Sequence, residues 1–390
     1  MNNYEFSCRT RIVFGADVED RAGEYVKRCG GKRILLHYGG ESAKKSGLLD
    51  KVKKSLEENG LYYAELGGVK PNPRLALVRE GIRLAKEESL DFVLAVGGGS
   101  VIDSGKGIAA GVMTEDDIWG YYMDMTRGLK EALPVGVVLT IPAAGSESSN
   151  GSVLTDEETG FKRHIASEAV VPEFALLDPK LTYTLPPWQI ACGCSDILAH
   201  LMERYFSRTP HTDLTDRLLE AAMQTVMKYG PLALAHPEDY DIRAEIMQVG
   251  QISHSDSLDG GRQTDWASHE IEHELSGQYD IAHGAGLAVI FPAWMRYVCH
   301  AGPEKFMQFG RRVLGMDFSA GDTEHGIERI ICALEDWYRG MGLPVRLSEL
   351  GIGDDRFDKM AEMCLVERDH VGNFVELHEE DVKKIYELAK

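Results

Sequence analysis

Residues 91–113 read DFVLAVGGGSVIDSGKGIAAGVM. The run DFVLAV (91–96) is short and apolar, as a strand buried on both faces would be, and it ends in Gly97-Gly98-Gly99-Ser100 before a stretch of small helix-compatible residues. A strand that stops in glycine and turns into a helix aims backbone N–H groups and the positive helix end at an anion. Glycines at 97, 98 and 99 allow a pyrophosphate to approach the backbone, and Ser100 adds a hydroxyl donor. The spacing is not GxGxxG. Nor is it a P-loop: five residues separate Gly99 from Gly105, and Gly107 stands where a Ser or Thr would hold magnesium. Such a run also occurs as a tight turn with no ligand, so its neighbours decide.

On both sides the same unit recurs. RILLHY (33–38) runs into Gly39-Gly40 and the amphipathic SAKKSGLLDKVKKSLEENG; RLALVREGIRLAKEES precedes the central strand; PVGVVLTI (134–141) leads into PAAGSESSNG. Alternating buried strands and amphipathic helices predict a doubly wound, Rossmann-like parallel sheet, with small-residue turns at the carboxyl edge where such sheets bind nucleotides. Prolines 179, 186 and 187 in LDPKLTYTLPPWQ (177–189) mark a boundary. Beyond it helical periodicity dominates, over 190–207, 211–229, 241–258, 264–276, 284–299, 303–314, 322–341 and 375–389. The expected architecture is α/β plus all-α: a dinucleotide-binding domain at 1–184 and a helical, metal-binding domain at 185–390, with no internal repeat.

The helical half carries DWASHEIEHELSGQYDIAH, residues 265–283. His269 and His273 are four apart and share a helix face. Gly277 is expected to interrupt that helix, and Asp280 to N-cap the apolar GAGLAVIFPAW, folding His283 back toward the pair. Asp196 and His200 in CSDILAHLMERYF form a second pair at helical spacing, on a helix that Ile197, Leu198 and Leu201 mark as buried. A lone histidine is more often a surface or core residue than a ligand, and an acid and a histidine one turn apart can be a simple intrahelical contact. A buried carboxylate without a partner is costly, however. One carboxylate with two or three imidazoles fits a single divalent cation with a coordination position left open. A metal that polarises oxygen, in a chain that also holds a hydride carrier, points to carbonyl–alcohol redox chemistry.

Composition narrows the field. The chain has 390 residues, 44% of them hydrophobic, enough for two domains with cores of ordinary size. Lys and Arg number 42 against 62 Asp and Glu, and the formal net charge of −20 disfavours nucleic acid or an anionic membrane as partner. No apolar run reaches the length of a membrane span, and MNNYEFSCRTRIVFG lacks a secretory core, so a cytoplasmic location is expected. Seven cysteines, an odd number with CxC at 192–194, predict buried thiols over a disulfide framework.

The motifs HYGGESAKKSG, GGVKPNP (67–73), LAVGGGSVIDSGK, LTIPAAGSES, FALLDPKLTYTLPP, the DILAH block and DWASHEIEHELSGQYDIAHG occur in this order over nearly the whole chain. In them the chain resembles the iron-containing alcohol dehydrogenase family, in its butanol-dehydrogenase-like branch. The resemblance implies a dehydroquinate-synthase-like fold and one divalent metal, Fe²⁺ or Zn²⁺, on Asp196, His200, His269 and His283. It places His273 beside the nicotinamide and substrate as a candidate proton relay. It assigns Gly98, Gly99, Ser100 and Asp103 to the pyrophosphate, Gly39, Gly40 and Asn72 to the adenosine side, and Thr140, Ser146, Asn150 and Lys162 to the cofactor's path. It further implies hydride transfer between NAD or NADP and a small alcohol or aldehyde, in a homodimer. The branch usually reads YGGGS where this chain has Tyr38-Gly39-Gly40-Glu41-Ser42. Glu41 sets a carboxylate near the place of a 2′-phosphate and weighs against an NADPH preference. A dehydroquinate-synthase-like lyase, a metal-dependent hydrolase and a non-catalytic binding protein are the competing readings. The lyase needs several extra basic groups near the histidines, the hydrolase needs no glycine loop, and the binding protein would use the histidines structurally.

Overall fold

The computed structural model describes residues 1–319, 321 and 323–390, with the side chains of Glu41, Ser42 and Met125 outside the description. The chain divides into two units: Cys8–Thr184, and Leu185–Lys390 together with Met1–Ser7.

The first unit runs β1 (Arg11–Phe14), α1 (Ala22–Arg28), β2 (Arg33–Tyr38), α2 (Glu41–Lys45), α3 (Leu48–Glu58), β3 (Tyr62–Leu66), α4 (Leu75–Glu87), β4 (Phe92–Gly98), α5 (Gly99–Val112), α6 (Trp119–Met123), β5 (Val135–Ile141), β6 (Gly151–Thr155), β7 (Lys162–Ala166) and β8 (Phe174–Leu177). Six strands form one parallel sheet in the order β1-β8-β5-β4-β2-β3, and β6 and β7 form a separate antiparallel hairpin. From β2 the chain steps outward to β3 and returns to β4 on the other side of β2, so the order reverses between β2 and β4. The crevice at that reversal is where open α/β sheets receive ligands. It falls at the two glycine turns read from the sequence.

Every residue of β4 and β8 is buried, as a central parallel strand requires. Alternation sets the two faces: Ile34, Leu36, Phe92, Leu94, Val96 and Val138 pack with Val26, Leu49, Val52 and Leu56 of α1 and α3. A Cβ on Gly105 of α5 would stand 3.3 Å from Val93 and 3.5 Å from Ala95, which places α5 on the opposite face. The strands β1 and β3 have partly exposed patterns and short runs, which weakens their sequence signal.

The second unit is helical: α7 (Pro187–Tyr205), α8 (Asp213–Ala235), α9 (Tyr240–Ser253), α10 (Ala267–Tyr279), α11 (His283–Val298), α12 (Pro303–Arg312), α13 (Thr323–Gly340), α14 (Phe357–Cys364) and α15 (Glu379–Ala389). Helix α11 is apolar nearly all round and packs against α7, α10, α13 and α15, as a core helix should. Helix α14 lies in a stretch where no helix was expected. Two expectations are corrected. Gly277 does not end α10, which continues to Tyr279, and Asp280 closes that helix from the left-handed region at φ 52° while Ala282 caps α11. Asp tolerates that conformation, so Asp280 serves a C-terminus where an N-cap was read. Among the described residues no helix is long and apolar enough to cross a membrane; all seven cysteines are free thiols, but only Cys194 and Cys364 are buried, and Cys8 and Cys332 are exposed where buried thiols were expected.

The sheet interior has little slack. A Cβ on Gly136 of β5 would lie 2.4 Å from the ring of fully buried Phe174. Gly136→Ala is therefore expected to destabilise the protein by about 1–3 kcal/mol through overpacking, seen as a lower urea midpoint; an unchanged midpoint would show that the Phe174 ring can move aside.

Candidate functional site

Four side chains in the helical unit converge. Asp196 and His200 stand one turn apart on α7, His269 comes from the first turn of α10, and His283 opens α11. Asp196 is 5% exposed, His200 3% and His269 5%. One Asp196 oxygen, Oδ1, lies 4.0 Å from His269 Nε2 and 3.8 Å from His283 Nε2. The His200 and His269 ring centroids are 4.5 Å apart, and those of His269 and His283 5.3 Å.

The opposite edge of each ring is held by an oxygen. His200 Nδ1 donates to the Asp196 carbonyl at 2.8 Å, His269 Nδ1 to Glu203 Oε1 at 2.8 Å, and His283 Nδ1 to Glu272 Oε2. An acceptor at Nδ1 fixes the proton there and leaves Nε2 with its lone pair. His269 Nε2 is buried and makes no hydrogen bond. Burial first, then the neighbouring His200, His283, His273 and His254 rings, hold the His269 imidazole well below its usual range, so it stays neutral with the lone pair on Nε2. Donors about 2.1 Å from one cation stand roughly 3.4 Å apart in a tetrahedral site. The separations from Asp196 lie close to that, and one carboxylate with three imidazoles is a donor set for Fe²⁺ or Zn²⁺. The residues fit the implied metal.

Glu203 and Glu272 were absent from the sequence reading. Glu203 is fully buried and accepts from the Trp266 amide at 2.7 Å and the His269 amide at 3.0 Å besides the His269 ring. Burial, then the adjacent Asp265 carboxylate, raises its pKa, against those two amides and Arg204. Asp265 in turn accepts from the amides of Asn373 and Phe374, each at 2.6 Å, and burial moves it up to about 6. The sequence shows only that Glu203 sits three residues after His200 on the same helix; its full burial, which obliges it to find donors, is a tertiary fact.

His273 is 5% exposed, with its ring 5.6 Å from that of His283. It clusters with Glu272 and His283, while Asp196, His200 and His269 form their own group. The letters HEIEH at 269–273 match the HExxH pattern of zinc hydrolases. Here the glutamate of that pattern, Glu270, is ion-paired to Arg368 at 2.7 Å.

In the α/β unit, the glycine turn follows β4. A Cβ on Gly98 would meet Ile141 at 2.9 Å, on Gly99 Ala144 at 3.1 Å, and on Gly97 Val101 at 2.4 Å. The turn is thus pressed against the start of the 142–150 segment, and backbone at Gly98 and Gly99 is bare toward any ligand, with half-buried Ser100 beside it. Gly39 and Gly40 end β2 across the strand reversal, with Gly39 accepting the Gly68 amide at 2.9 Å. Asn72 is 6% exposed at φ 54°, Thr140 is half-buried near the end of β5, and Lys162 is buried at the start of β7. The Asn150 carbonyl accepts the Ser167 amide at 2.9 Å. These residues supply the bare backbone, hydroxyls and amide groups that a dinucleotide requires. Asp103 and Ser146 are occupied with each other: the Ser146 hydroxyl donates to Asp103 Oδ1, and the Val153 amide reaches Oδ2 at 3.1 Å. The Glu41 side chain lies outside the described residues.

A family model described as iron-containing alcohol dehydrogenase matches residues 9–179, and one described as the C-terminal part of the Fe-containing alcohol dehydrogenase family matches residues 190–390. NADH-dependent butanol dehydrogenase B of Clostridium acetobutylicum is 38% identical, with 100% of each chain covered. The NADPH-dependent aldehyde reductase of Escherichia coli is 36% identical over 90% of each chain. The crystal structure of NADH-dependent butanol dehydrogenase A from Thermotoga maritima superposes with a TM-score of 0.96 at 38% identity, covering 100% of this chain and 99% of that one. With both halves matched in order and full-length relatives well above 30% identity, this chain belongs to the iron-containing alcohol dehydrogenase family.

Proposed function

We propose that the protein is a metal-dependent, NAD(P)(H)-linked oxidoreductase that interconverts small primary alcohols and aldehydes. The observation that carries this reading is the tautomer-fixed histidine cluster: three imidazoles whose Nδ1 protons are held by oxygens while Asp196 faces two of the Nε2 lone pairs. A divalent cation on Asp196, His200, His269 and His283, with iron as first choice and zinc as alternative, would supply Lewis acidity toward the substrate oxygen. A nicotinamide cofactor would supply or accept the hydride. The chain's own contribution is to orient the donors. Glu203 and Glu272 lock two of the rings, as carboxylates commonly do behind metal-bound histidines. His273, buried beside His283, is assigned to moving the alcohol proton.

In the α/β unit the proposed cofactor residues are Gly39, Gly40, Glu41, Asn72, Gly98, Gly99, Ser100, Thr140, Asn150 and Lys162, with Asp103 and Ser146 acting on one another. We assign Cys8–Thr184 to cofactor binding and Leu185–Lys390, which Met1–Ser7 joins where 1–184 was expected to be one unit, to metal binding, in a cytoplasmic homodimer like those the family resemblance implied. No observation favours the lyase. Two basic groups beside α10, Arg204 and Arg368, are paired with Asp259 at 2.6 Å and Glu270 at 2.7 Å. Mixing metal-loaded enzyme with butyraldehyde and NADH or NADPH, and following reduced-cofactor absorbance, tests the reading; no oxidation with either cofactor would refute it.

His269→Ala removes a donor from the cluster, so bound metal and turnover should disappear together. His273→Ala should keep metal content near the parent value while lowering the rate or altering its pH dependence. Metal analysis of both proteins separates the roles: a His269→Ala protein that keeps its metal has the wrong ligand assigned, and metal loss on His273→Ala moves that residue into the coordination sphere.

Glu203→Gln keeps the shape of the side chain but takes away the negative charge behind His269. Metal affinity is expected to fall roughly 10- to 100-fold, measured by competition with a chelator; parent-like affinity would reduce Glu203 to a packing role.

The Clostridium and Thermotoga relatives are named as NADH-dependent and the Escherichia reductase as NADPH-dependent, so cofactor choice turns on local chemistry. A carboxylate ~6 Å from a 2′-phosphate would cost on the order of 1–3 kcal/mol, or roughly 10- to 100-fold in affinity. Lys44 and Lys45, in the last turn of α2, oppose that repulsion. We expect both cofactors to serve, with NADPH favoured by Glu41→Gly. Comparing kcat/KM for the two cofactors on both proteins decides it, and an unchanged ratio would show that Glu41 has no part in the choice.

A further inference from the structure

We infer that Asp103 and Lys106 are positioning residues that together clasp the 146–153 segment to α5 and so set the cofactor site. The inference rests on the reading that the 97–100 turn and the 142–150 segment hold the dinucleotide.

The Lys106 side chain is fully buried, and every oxygen it reaches belongs to one stretch of chain. Its Nζ donates to the Ser149 carbonyl at 2.8 Å and the Gly151 carbonyl at 2.8 Å, with the Ser146 and Ser149 hydroxyls at 3.3 and 3.4 Å. Asp103, one turn earlier on the same helix, takes the Ser146 hydroxyl on one oxygen and the Val153 amide on the other. Its own carbonyl accepts the Ser152 hydroxyl at 2.8 Å, which also meets the Tyr122 hydroxyl at 2.7 Å. Two side chains three residues apart thus grip a segment at both of its ends.

Residues 151–153 are held in the β6–β7 hairpin, and the Asn150 carbonyl takes the Ser167 amide. Residues 142–150 belong to no helix or strand, and Gly145 bends them through φ 64°. Backbone carbonyls in a buried irregular stretch need donors from elsewhere, and the ammonium provides them. A buried lysine is costly in itself; burial draws Lys106 down to about 8, while Asp103 and Glu147 hold it up. A well-packed apolar side chain would avoid that cost, so the charge is best explained by the shape it imposes. The same helix starts at Gly99 and Ser100. The clasp therefore couples the anion-facing helix start to the second loop as one body. Neither side chain needs to touch the cofactor.

The test uses the full-length protein carrying Lys106→Met, Asp103→Asn or, separately, Ser100→Asp, which sets a carboxylate at the helix start. Binding of NADH and NADPH is read by nicotinamide fluorescence without substrate, alongside KM, kcat and Tm. Lys106→Met is expected to weaken cofactor binding at least ~10-fold and raise the cofactor KM, with kcat at saturating cofactor within about threefold of the parent. Asp103→Asn should shift binding in the same direction. A folded Lys106→Met or Asp103→Asn protein with parent-like affinity, while Ser100→Asp loses binding, overturns the clasp and leaves the cofactor reading intact. Parent-like binding in all three overturns the cofactor reading itself. Should Lys106→Met fail to fold, Asp103→Asn decides alone.

Discussion

A buried imidazole is useful to a cation only if its proton is held somewhere else. In this protein that constraint is met by oxygens behind each ring: the Asp196 carbonyl for His200, Glu203 for His269 and Glu272 for His283. Each acceptor turns a group with two interchangeable nitrogens into a directed lone pair. The cost is the burial of two further carboxylates, Glu203 and Glu272, each of which needs donors of its own. Glu203 takes two amides from the start of α10, and Glu272 takes the Ser276 hydroxyl one turn further along that helix. The free N–H groups at the start of α10 are thus the donors that keep Glu203 satisfied.

The backbone adjusts to serve the same cluster. Trp266 sits at φ 70°, unusual for a bulky residue, and that turn lets both its own amide and that of His269 reach Glu203. Its ring lies 5.1 Å from His269, 5.7 Å from His200 and 5.4 Å from His254, forming a wall beside the donors. At His283 the constraint is contact: a Cβ on Gly284 would lie 2.0 Å from the Cys192 carbonyl, so α11 closes on α7 only with glycine there. The apolar helix beneath gives this arrangement a rigid base.

The α/β unit solves a different problem with bare backbone. Gly98 and Gly99 lie too close to Ile141 and Ala144 for larger side chains, which keeps the strand-to-helix turn open to an anion. The buried charges nearby face the protein's own loops. Lys106 and Asp103 bind the 146–153 segment, and His37, fully buried between the Leu66 carbonyl at 2.9 Å and the Ser104 hydroxyl at 2.8 Å, is depressed by burial to about 4 and stays neutral.

Much of this was written locally in the chain. Alternating apolar strands with glycine ends specified a parallel sheet, because burial on both faces leaves a continuous hydrophobic run and a helix crossover leaves a turn. The four converging donors were also legible, since helical spacing puts Asp196 above His200, and the family motifs carried His269 and His283. What the sequence could not express were partners from distant segments. Glu203 meets His269 across 66 residues, and Lys106 meets Ser149 across 43. Nothing in HLMERYF distinguishes a solvated glutamate from one that fixes a tautomer, and SGKG reads like a surface lysine after a glycine turn. The helix break was misplaced for a related reason: Asp at 280 is equally good as an N-cap or as a left-handed C-cap, and only the packing of α11 against α7 and α10 chose between them. Local pattern determined the elements and the reactive groups. Tertiary contact decided their protonation and aim, because both depend on which buried oxygen each nitrogen meets.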